Sequence, residues 1–247
     1  MITHQTNVSL NYAAFPRDHP KINSDWYRFY RLLDWLQRSA PGVVTPTARW
    51  LDIGCHSGSF LRAVVQIFGV KAVGCDVYPV NDKEQKKYEC YQLTENSGWE
   101  YRQLDVSDGI KFPETFDVIS ALELIEHIID TDEFLNQVRD HLAPRGLFVA
   151  TTPNISNLRN RLCVPFGSYP IGLEYRNVIH HVRLYNVAAI RSHFAEHRFE
   201  VLAVKGVQLL PRRWIENSSF FRFVSEAAAD AFPQLAPNII VISRKGS

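Results

Sequence analysis

The segment best suited to chemistry in this sequence is Asp52-Ile-Gly-Cys-His-Ser-Gly58. Glycine permits tight turns and lets the backbone approach a bound molecule closely, because it has no Cβ. The segment begins within residues 49–54, which have the apolar pattern of a buried strand, and it ends where residues 58–68 show the pattern of a helix. A turn of this kind lies at the carboxyl edge of a parallel sheet, where open α/β folds bind ligands. The segment therefore predicts a loop that binds a small molecule.

Three further positions end predicted strands at the same edge. Asp76 ends the second strand, Asp105 ends the third and Ala121 ends the fourth. A carboxylate at the end of the second strand can accept hydrogen bonds from both hydroxyls of a ribose. Each residue alone is compatible with an ordinary strand cap, but their joint placement favours a binding edge.

An alternation of strands and helices must position these residues. Strands are predicted at 49–54, 71–76, 100–106, 116–121, 147–152, 199–207 and 238–244. Helices are predicted at 24–39, 58–68, 131–142, 186–196 and 215–231. Continuous apolar strands that alternate with helices are typical of a parallel sheet covered on both faces. We therefore predict an α/β fold with a doubly wound, seven-stranded, mostly parallel sheet in a three-layer αβα arrangement.

Composition and charge exclude several classes of protein. The 247 residues include 27 Lys and Arg against 26 Asp and Glu, and this balance disfavours a broad basic surface for nucleic acid or anionic lipid. The four cysteines lack the spacing of a disulfide framework or zinc finger, which favours a reducing compartment. The sequence shows neither a secretory signal nor the roughly 20 apolar residues of a spanning helix. We expect a cytoplasmic protein without a membrane segment.

The glycine-rich segment is similar to the D-x-G-x-G-x-G motif of class I S-adenosylmethionine-dependent methyltransferases, with His56 in place of the middle glycine. The segment 121–127, Ala-Leu-Glu-Leu-Ile-Glu-His, resembles the subgroup with a "LEH" signature after strand four. The match covers roughly 49–152 in motifs and 49–244 in strand order. The resemblance implies a Rossmann-like sheet of order 3-2-1-4-5-7-6, an antiparallel last strand, and S-adenosyl-L-methionine as cofactor with S-adenosyl-L-homocysteine as product.

The same resemblance implies a set of cofactor-binding residues. Asp76 would bind the ribose hydroxyls, Asp105 and Val106 would hold the adenine, and residues 120–123 would lie along the methionine part. The predicted cofactor-binding residues are Asp52, Gly54, His56, Gly58, Asp76, Val77, Asp105, Val106, Ala121 and Leu122.

A nicotinamide-dependent dehydrogenase is the alternative interpretation of this turn. Its G-x-G-x-x-G fingerprint places a helix N-terminus against a pyrophosphate. The segment Asp52–Gly58 lacks both the central glycine and the third glycine at that spacing. S-adenosylmethionine has no phosphate and makes less use of such a cradle, so the methyltransferase is favoured.

Two histidines are candidates for a catalytic base. Methyl transfer from a sulfonium is an in-line displacement, and a hydroxyl acceptor must also lose its proton. The segment His181-Val-Arg-Leu-Tyr185 resembles the H-x-R-x-[FY] stretch of the subgroup, so His181 ranks first and His127 second. Each also has a purely structural interpretation, since His181 could pin its loop and His127 could start a helix.

Glu123, Glu126 and His127 have the spacing of one helix face and could hold a divalent cation together with His180 or His181. This element looks similar to that of small-RNA 2′-O-methyltransferases and ubiquinone-pathway O-methyltransferases. The same residue types are common on solvated helix starts. We therefore predict no metal site and leave the cation as the alternative.

Residues 153–185 are predicted to form an acceptor-binding loop. Four arginines give it positive character suited to an acceptor with phosphate or carboxylate, and three aromatic residues could stack on a ring. These residues are Arg159, Arg161, Arg176, Arg183, Phe166, Tyr169 and Tyr175.

We predict one methyltransferase domain over 1–247. Its parts are an arm and lid helix (1–48), a cofactor core (49–152), the acceptor loop (153–185) and a C-terminal completion (186–247). The aromatic stripe of 24–39 is expected to pack in the core, and Phe220, Phe221 and Phe223 in the core or a dimer contact.

These observations predict methyl transfer to a small-molecule oxygen, with a sugar, glycan-precursor or natural-product hydroxyl chosen by analogy. An RNA 2′-O-methyltransferase with a metal site and a non-catalytic cofactor-binding subunit are the alternatives. The expected partner is a small acceptor that tolerates negative charge, and not nucleic acid or membrane; a homodimer stays open.

Overall fold

The computed structural model describes residues 25–77, 98–168, 170 and 181–246. Its strands are β1 (Arg49–Ile53), β2 (Lys71–Asp76), β3 (Trp99–Gln103), β4 (Phe116–Leu122), β5 (Leu142–Pro153), β6 (Phe199–Gly206) and β7 (Asn238–Lys245). Its α-helices are α1 (Asp25–Ser39), α2 (Ser59–Phe68), α3 (Thr131–His141), α4 (Leu158–Cys163), α5 (Val187–Glu196), α6 (Arg212–Asn217) and α7 (Ser219–Ala231).

The strands form one seven-stranded sheet in the order β3-β2-β1-β4-β5-β7-β6. β1 pairs in parallel with β2, and β2 with β3, whereas β7 runs antiparallel to β6. The predicted fold class, strand order and antiparallel last strand are therefore confirmed.

The chain divides into two compact units, and the boundary between them falls within β4 and within β5. The first comprises the residues up to Ser120 together with Asp140–Leu147, and the second comprises Ala121–Arg139 with the residues from Phe148 onward. The single-domain organisation stays a prediction, and the N-terminal arm lies outside the described residues up to position 24.

The first unit packs around aromatic side chains. Trp50 of β1 is buried, with its ring 5.9 Å from Phe60 and 6.3 Å from Phe68 of α2. Phe29 of α1 lies 5.0 Å from Phe60, and the rest of the aromatic and leucine stripe of α1 is buried as well. Burial of this stripe agrees with the prediction that it packs in the core.

Several boundaries differ from the predicted ones. β3 ends at Gln103 rather than at residue 106, and β5 begins at Leu142, before the predicted turn. The predicted single helix 215–231 is wrong, because Ser218 has extended backbone (φ −147°) and its side chain caps a new helix, α7. Phe220, Phe221 and Phe223 on α7 are exposed, so their expected packing in the core is wrong and the dimer contact stays a prediction. None of the helices in the described ranges is long and apolar enough to cross a membrane.

The second unit has its own aromatic core around Phe148 of β5. The Phe148 ring stacks on Phe194 of α5 at 5.4 Å and lies 5.5 Å from Phe199 of β6. Phe148 and Phe194 are fully buried. This cluster packs α5 against the strands that follow it.

We expect Phe148→Ala to lower the free energy of unfolding by about 3–5 kcal/mol, because it removes a buried ring and leaves a cavity. Urea denaturation followed by circular dichroism measures the change. The matched control is Phe166→Ala, since Phe166 is 88% exposed and such a change costs at most about 0.5 kcal/mol. Equal stabilities of the two variants would contradict this account of the core.

Candidate active site

The glycine-rich loop leaves β1 through a series of left-handed residues. Gly54, His56 and Gly58 have φ values of 73°, 44° and 68°. The amides of Gly54 and Cys55 both donate to the Cys75 carbonyl, at 2.8 and 3.0 Å, and so join the loop to β2. Within the loop, the Ser57 hydroxyl also bonds the Ser59 hydroxyl at 2.9 Å.

Gly58 has a steric requirement that goes beyond its backbone angles. A Cβ at this position would lie 2.1 Å from the Trp99 ring, far inside contact distance. Trp99 is buried at the start of β3, so the ring has little freedom to move. Only glycine therefore fits between the loop and β3.

His56 occupies the position where the resembled motif has its middle glycine. Its φ of 44° is a conformation that glycine adopts readily and that costs other residues about 1–2 kcal/mol. The His56 amide donates to Asp76 Oδ2 at 2.8 Å, which compensates for the strain. The loop shape therefore survives the loss of this glycine.

Asp76 ends β2 with its carboxylate facing this loop. Its two oxygens accept the amides of His56 and Val77, both at 2.8 Å. A carboxylate offers about four lone-pair sites, so capacity remains for two further donors. The prediction that Asp76 ends the second strand is confirmed, and Val77 beside it is exposed.

Asp52 lies in a buried hydrogen-bond chain. Trp50 Nε1 donates to Ser120 Oγ at 2.8 Å, and Ser120 Oγ donates to Asp52 Oδ1 at 2.6 Å. Burial raises the pKa of Asp52 to about 7; the Ser120 bond opposes this shift and the charge of Asp76 adds to it. The resemblance placed Ser120 among residues 120–123 along the methionine part, but its bond to Asp52 was not predicted, because a serine inside a strand does not indicate its partner.

Asp105 does not end β3, which stops two residues earlier. It caps the 3-10 helix Val106–Asp108 and accepts from the Ser107 hydroxyl and amide, at 2.7 and 2.9 Å. These bonds hold its pKa below the ordinary value. The Asp105 side chain is exposed and Val106 is half-buried.

Buried cysteines line the same part of the first unit. Cys55 and Cys75 are free and buried, and burial raises the pKa of both thiols. They behave as small apolar side chains, as the sequence predicts. Cys163 is also free, whereas Cys90 lies outside the described residues.

In the second unit, three predicted residues converge after the end of β4. We call Glu126, His127 and His181 the Glu126 cluster; one donor atom from each lies within 4.8 Å of the others. The two imidazole rings meet edge to face with centroids 4.7 Å apart. Glu126 is buried, His181 is half-buried and His127 is exposed.

Backbone bonds bring the distant His181 to this place. The Glu126 carbonyl accepts the amides of Val182 and Arg183, at 2.9 and 3.1 Å. At the other end of the segment, the Tyr185 carbonyl accepts the Ile155 amide at 2.9 Å. Residues 181–185 are therefore bonded to Glu126 after β4 and to Ile155 after β5. His180 lies outside the described residues.

Glu123 does not join the cluster, so the predicted single helix face is wrong. The chain forms only a 3-10 turn over Ile125–His127, and Glu123 before it has φ 52°. Its amide donates to the Thr151 carbonyl, and its Oε2 accepts from Asn238 Nδ2 at 2.9 Å. Glu123 is held by β5 and β7 instead. Ala121 and Leu122, the last residues of β4, are buried and half-buried.

A small pocket opens beside the cluster and is lined by Glu126, His181, Thr152 and Arg183, among others. Thr152 is fully buried, and its hydroxyl has no hydrogen-bond partner in the described structure. A buried hydroxyl without a partner is costly, so it favours a polar occupant. Nothing in the sequence distinguishes Thr152 from its neighbours in β5.

The predicted acceptor loop is partly described. Arg161 donates to the Ser156 carbonyl at 2.6 Å, Arg159 is exposed, and Arg183 lines the pocket. α4 and a 3-10 turn over Val164–Phe166 occupy its first half. Tyr169, Tyr175 and Arg176 lie outside the described residues.

Comparison with known proteins gives a family match over most of the chain. The family model described as a methyltransferase domain matches residues 25–204. The mitochondrial ubiquinone biosynthesis O-methyltransferase of Bos taurus is 25% identical over 193 residues, which are 76% of this chain and 52% of that protein. A bacterial ubiquinone biosynthesis O-methyltransferase, from Mesorhizobium japonicum, is 33% identical over 128 residues (51% and 47%). The chain spans about half the length of these relatives.

Solved structures share the fold. A putative sarcosine dimethylglycine methyltransferase from Galdieria sulphuraria has a TM-score of 0.58 at 17% identity, covering 87% of this chain and 86% of that one. Phosphoethanolamine N-methyltransferase 2 of Haemonchus contortus, in complex with S-adenosyl-L-methionine, has a TM-score of 0.59 at 19% identity, covering 87% and 52%. At these identities the similarity concerns the fold alone.

We expect Asp52→Asn to change how stability depends on pH. The unfolded chain releases this proton near pH 4 and the folded chain near pH 7, so wild-type stability falls as pH rises between these values. The asparagine has no proton to lose. The unfolding free energy of the variant minus that of the wild type should therefore increase by up to about 4 kcal/mol as pH rises from 4 to 7.

Urea denaturation at half-unit pH steps measures the difference. Asp105→Asn is the control, because the pKa of Asp105 is lowered and this aspartate is ionised in both states above pH 5. Its curve should run parallel to the wild type from pH 5 to 7. Parallel curves for Asp52→Asn as well would contradict the raised pKa.

Proposed function

Because the chain belongs to the class I S-adenosylmethionine-dependent methyltransferases, we propose that it transfers the methyl group of this donor to an oxygen atom of a small molecule. The family and cofactor predicted from the sequence are confirmed. The oxygen acceptor rests on one observation, the convergence of Glu126, His127 and His181 after the end of β4.

The donor occupies the glycine-rich loop and the end of β2. Asp76 takes the ribose hydroxyls, in support of which its carboxylate keeps two lone-pair sites after accepting the His56 and Val77 amides. Asp105 and Val106 face the adenine. The remaining predicted residues are Asp52, Gly54, Gly58, Ala121 and Leu122.

The reaction needs few catalytic groups. The methyl carbon sits on a sulfonium, a good leaving group, so holding the acceptor oxygen in line with it supplies most of the rate. A hydroxyl becomes a much better nucleophile when it loses its proton. The chain must therefore provide a general base that accepts this proton.

His181 is this group in our proposal. It is half-buried and lines the pocket, whereas His127 is exposed and meets it edge to face. Imidazole titrates near neutral pH and can accept the proton. Thr152, whose buried hydroxyl lines the same pocket, supplies a hydrogen bond to the acceptor.

A divalent cation in the Glu126 cluster is the alternative. One carboxylate and two imidazoles form a donor set that suits such an ion, and a bound ion would supply Lewis-acid polarisation of the acceptor oxygen. Glu126 would hold it with His127 and His181. The sequence-based preference for no metal stays a prediction.

The acceptor is a small hydroxyl compound with an anionic group. Arg183 in the pocket lining supports the negative charge. The names of the relatives, ubiquinone biosynthesis O-methyltransferases, support a small-molecule oxygen; a sugar or glycan-precursor hydroxyl is the finer proposal. The balanced charge disfavours RNA. Cytoplasmic location and a homodimer stay predictions.

Asp76→Ala should weaken binding of S-adenosylmethionine by about 10- to 100-fold. It removes one or two hydrogen bonds to a charged group, each worth about 1.5–3 kcal/mol, and also the acceptor for the His56 amide. Isothermal titration calorimetry measures the affinity. Asp76→Asn keeps the size of the side chain and tests the charge alone.

Glu133→Ala is the matched control, because this exposed acid on α3 lies outside the proposed site and its carboxylate accepts a hydrogen bond from Gln137 Nε2 at 2.7 Å. It should bind the donor as the wild type does. Undetectable donor binding to the wild type would refute the proposed function, and wild-type affinity in Asp76→Ala would refute the role of Asp76.

His181→Ala should lower turnover by about 100-fold or more, because general-base catalysis contributes about 10²–10⁴. Formation of S-adenosylhomocysteine is measured with a catechol, a nucleotide sugar and a short RNA as acceptors. Donor affinity should stay within threefold of the wild type. His141→Ala, at the end of α3, is the matched histidine control.

Chelation separates the base from the cation. If His181 acts as the base, EDTA and Glu126→Gln leave turnover unchanged. Loss of turnover under both conditions, with recovery of the wild type on adding Mg²⁺ or Zn²⁺, would establish the cation instead. Donor binding without turnover on any acceptor would favour the non-catalytic subunit.

A further inference from the structure

A second group of ligating side chains lies in the second unit, outside the Glu126 cluster. We call Asp132, His193 and His197 the Asp132 cluster. His193 Nε2 lies 2.7 Å and His197 Nε2 lies 3.1 Å from the same atom, Asp132 Oδ1. The ligating atoms of the three residues all lie within 4.8 Å of one another.

The cluster joins two helices. His193 lies in the last turn of α5 and His197 caps its C-terminus, so the two are four residues apart and share one face. Asp132 lies in the first turn of α3. Two imidazoles separated by one helical turn form a preorganised chelate for a metal ion, and Asp132 adds a ligand from a different helix.

The outer nitrogens of both rings are already held. His193 Nδ1 lies 2.9 Å from the Tyr185 hydroxyl, and His197 Nδ1 lies 3.1 Å from Asn136 Oδ1. Both oxygens can accept an N–H. Histidines that bind metals use one ring nitrogen for the ion and donate the other N–H to an oxygen, which fixes the tautomer and the ring plane. The Asp132 cluster has this second layer on both rings.

The spacing and exposure also suit an ion. With metal–ligand distances of about 2.0–2.1 Å, ligands of a tetrahedral site lie about 3.4 Å apart. The contacts of 2.7 and 3.1 Å to Asp132 Oδ1 must therefore lengthen when an ion enters, and the whole set already lies within 4.8 Å. The two histidine side chains are only 12% and 13% exposed, whereas Asp132 is 61% exposed and faces a surface pocket. The rings are thus fixed, and one side stays open for a water ligand.

We propose that Asp132, His193 and His197 bind a divalent metal ion such as Zn²⁺, which links α3 to α5. Two imidazoles and one carboxylate favour Zn²⁺ and its neighbours over Mg²⁺, which prefers oxygen ligands alone. The ion replaces the shared contact with Asp132 Oδ1 by three metal–ligand bonds. This inference does not rest on the proposed function.

The ion would also affect the segment that carries His181. Tyr185 ends this segment and contacts His193 Nδ1, while its ring stacks on the His193 ring with centroids 5.9 Å apart. Fixing His193 therefore fixes Tyr185. The Asp132 cluster accordingly acts as a structural site that stabilises the segment 181–185 through Tyr185, and it needs no contact with substrate.

The test uses the full chain without a histidine tag, stripped with a chelator and desalted. Zinc retained after incubation with Zn²⁺ is measured by mass spectrometry, and thermal unfolding is followed with and without Zn²⁺. The wild type should retain one Zn²⁺ more than the double variant His193→Gln/His197→Gln. A hundredfold excess of Zn²⁺ over its Kd should raise the wild-type Tm by about 5–10 °C, and the shift should be lost in the double variant.

Two further variants locate the ion. Glu126→Gln/His127→Gln disrupts the other cluster and should keep both the zinc of the Asp132 cluster and its Tm shift. Asp132→Asn keeps the size of the side chain and should weaken Zn²⁺ binding at least tenfold; it decides the outcome if the double histidine variant fails to fold. Wild-type zinc content and Tm shift in folded His193→Gln/His197→Gln, or loss of all zinc with Glu126→Gln/His127→Gln alone, would overturn the proposal.

Discussion

The geometry of the glycine-rich loop depends on the bond from the His56 amide to the Asp76 carboxylate. This bond holds a left-handed residue in the loop after β1 and orients the carboxylate at the end of β2. Trp99 closes the space behind the loop and leaves room only for Gly58. The loop is thus confined on two sides by neighbouring strands, and its remaining open side is available to a ligand. The bond uses the backbone amide of residue 56 and not its side chain, so a histidine can stand where the resembled motif has glycine.

The second unit solves a different problem, which is to bring residues far apart in sequence to one place. The Glu126 carbonyl accepts two amides from the segment after His181, and Tyr185 joins the same segment to the residues that follow β5. These bonds place one carboxylate and two imidazoles together without any continuous helix face. Glu126 is buried, so water does not solvate its carboxylate freely, and neighbouring polar groups must stabilise it.

The strands and the glycine-rich loop could be predicted because both depend on local signals, and the resemblance to the family then implied the strand order. Apolar runs, glycines at turns and acids at strand ends follow from backbone geometry over a few residues. The interpretation of Glu123 failed because it assumed a helix where the chain forms a 3-10 turn. The helix predicted across Ser218 failed because a side-chain cap ended one helix and began another. Glu123 is held by polar contacts to the distant residues Thr151 and Asn238, whereas at Ser218 a local side-chain cap overrode the apolar periodicity.

The sequence by itself determined the family, the fold and the position of the glycine-rich loop, because these depend on residue types at short, fixed spacings. Only the tertiary structure decided which distant side chains meet. It joined His181 to Glu126, excluded Glu123, and brought Asp132 to two histidines about sixty residues later in the chain. The physical reason is that such contacts depend on how helices and loops pack on the sheet, and side-chain directions there are set by the whole core rather than by neighbouring residues.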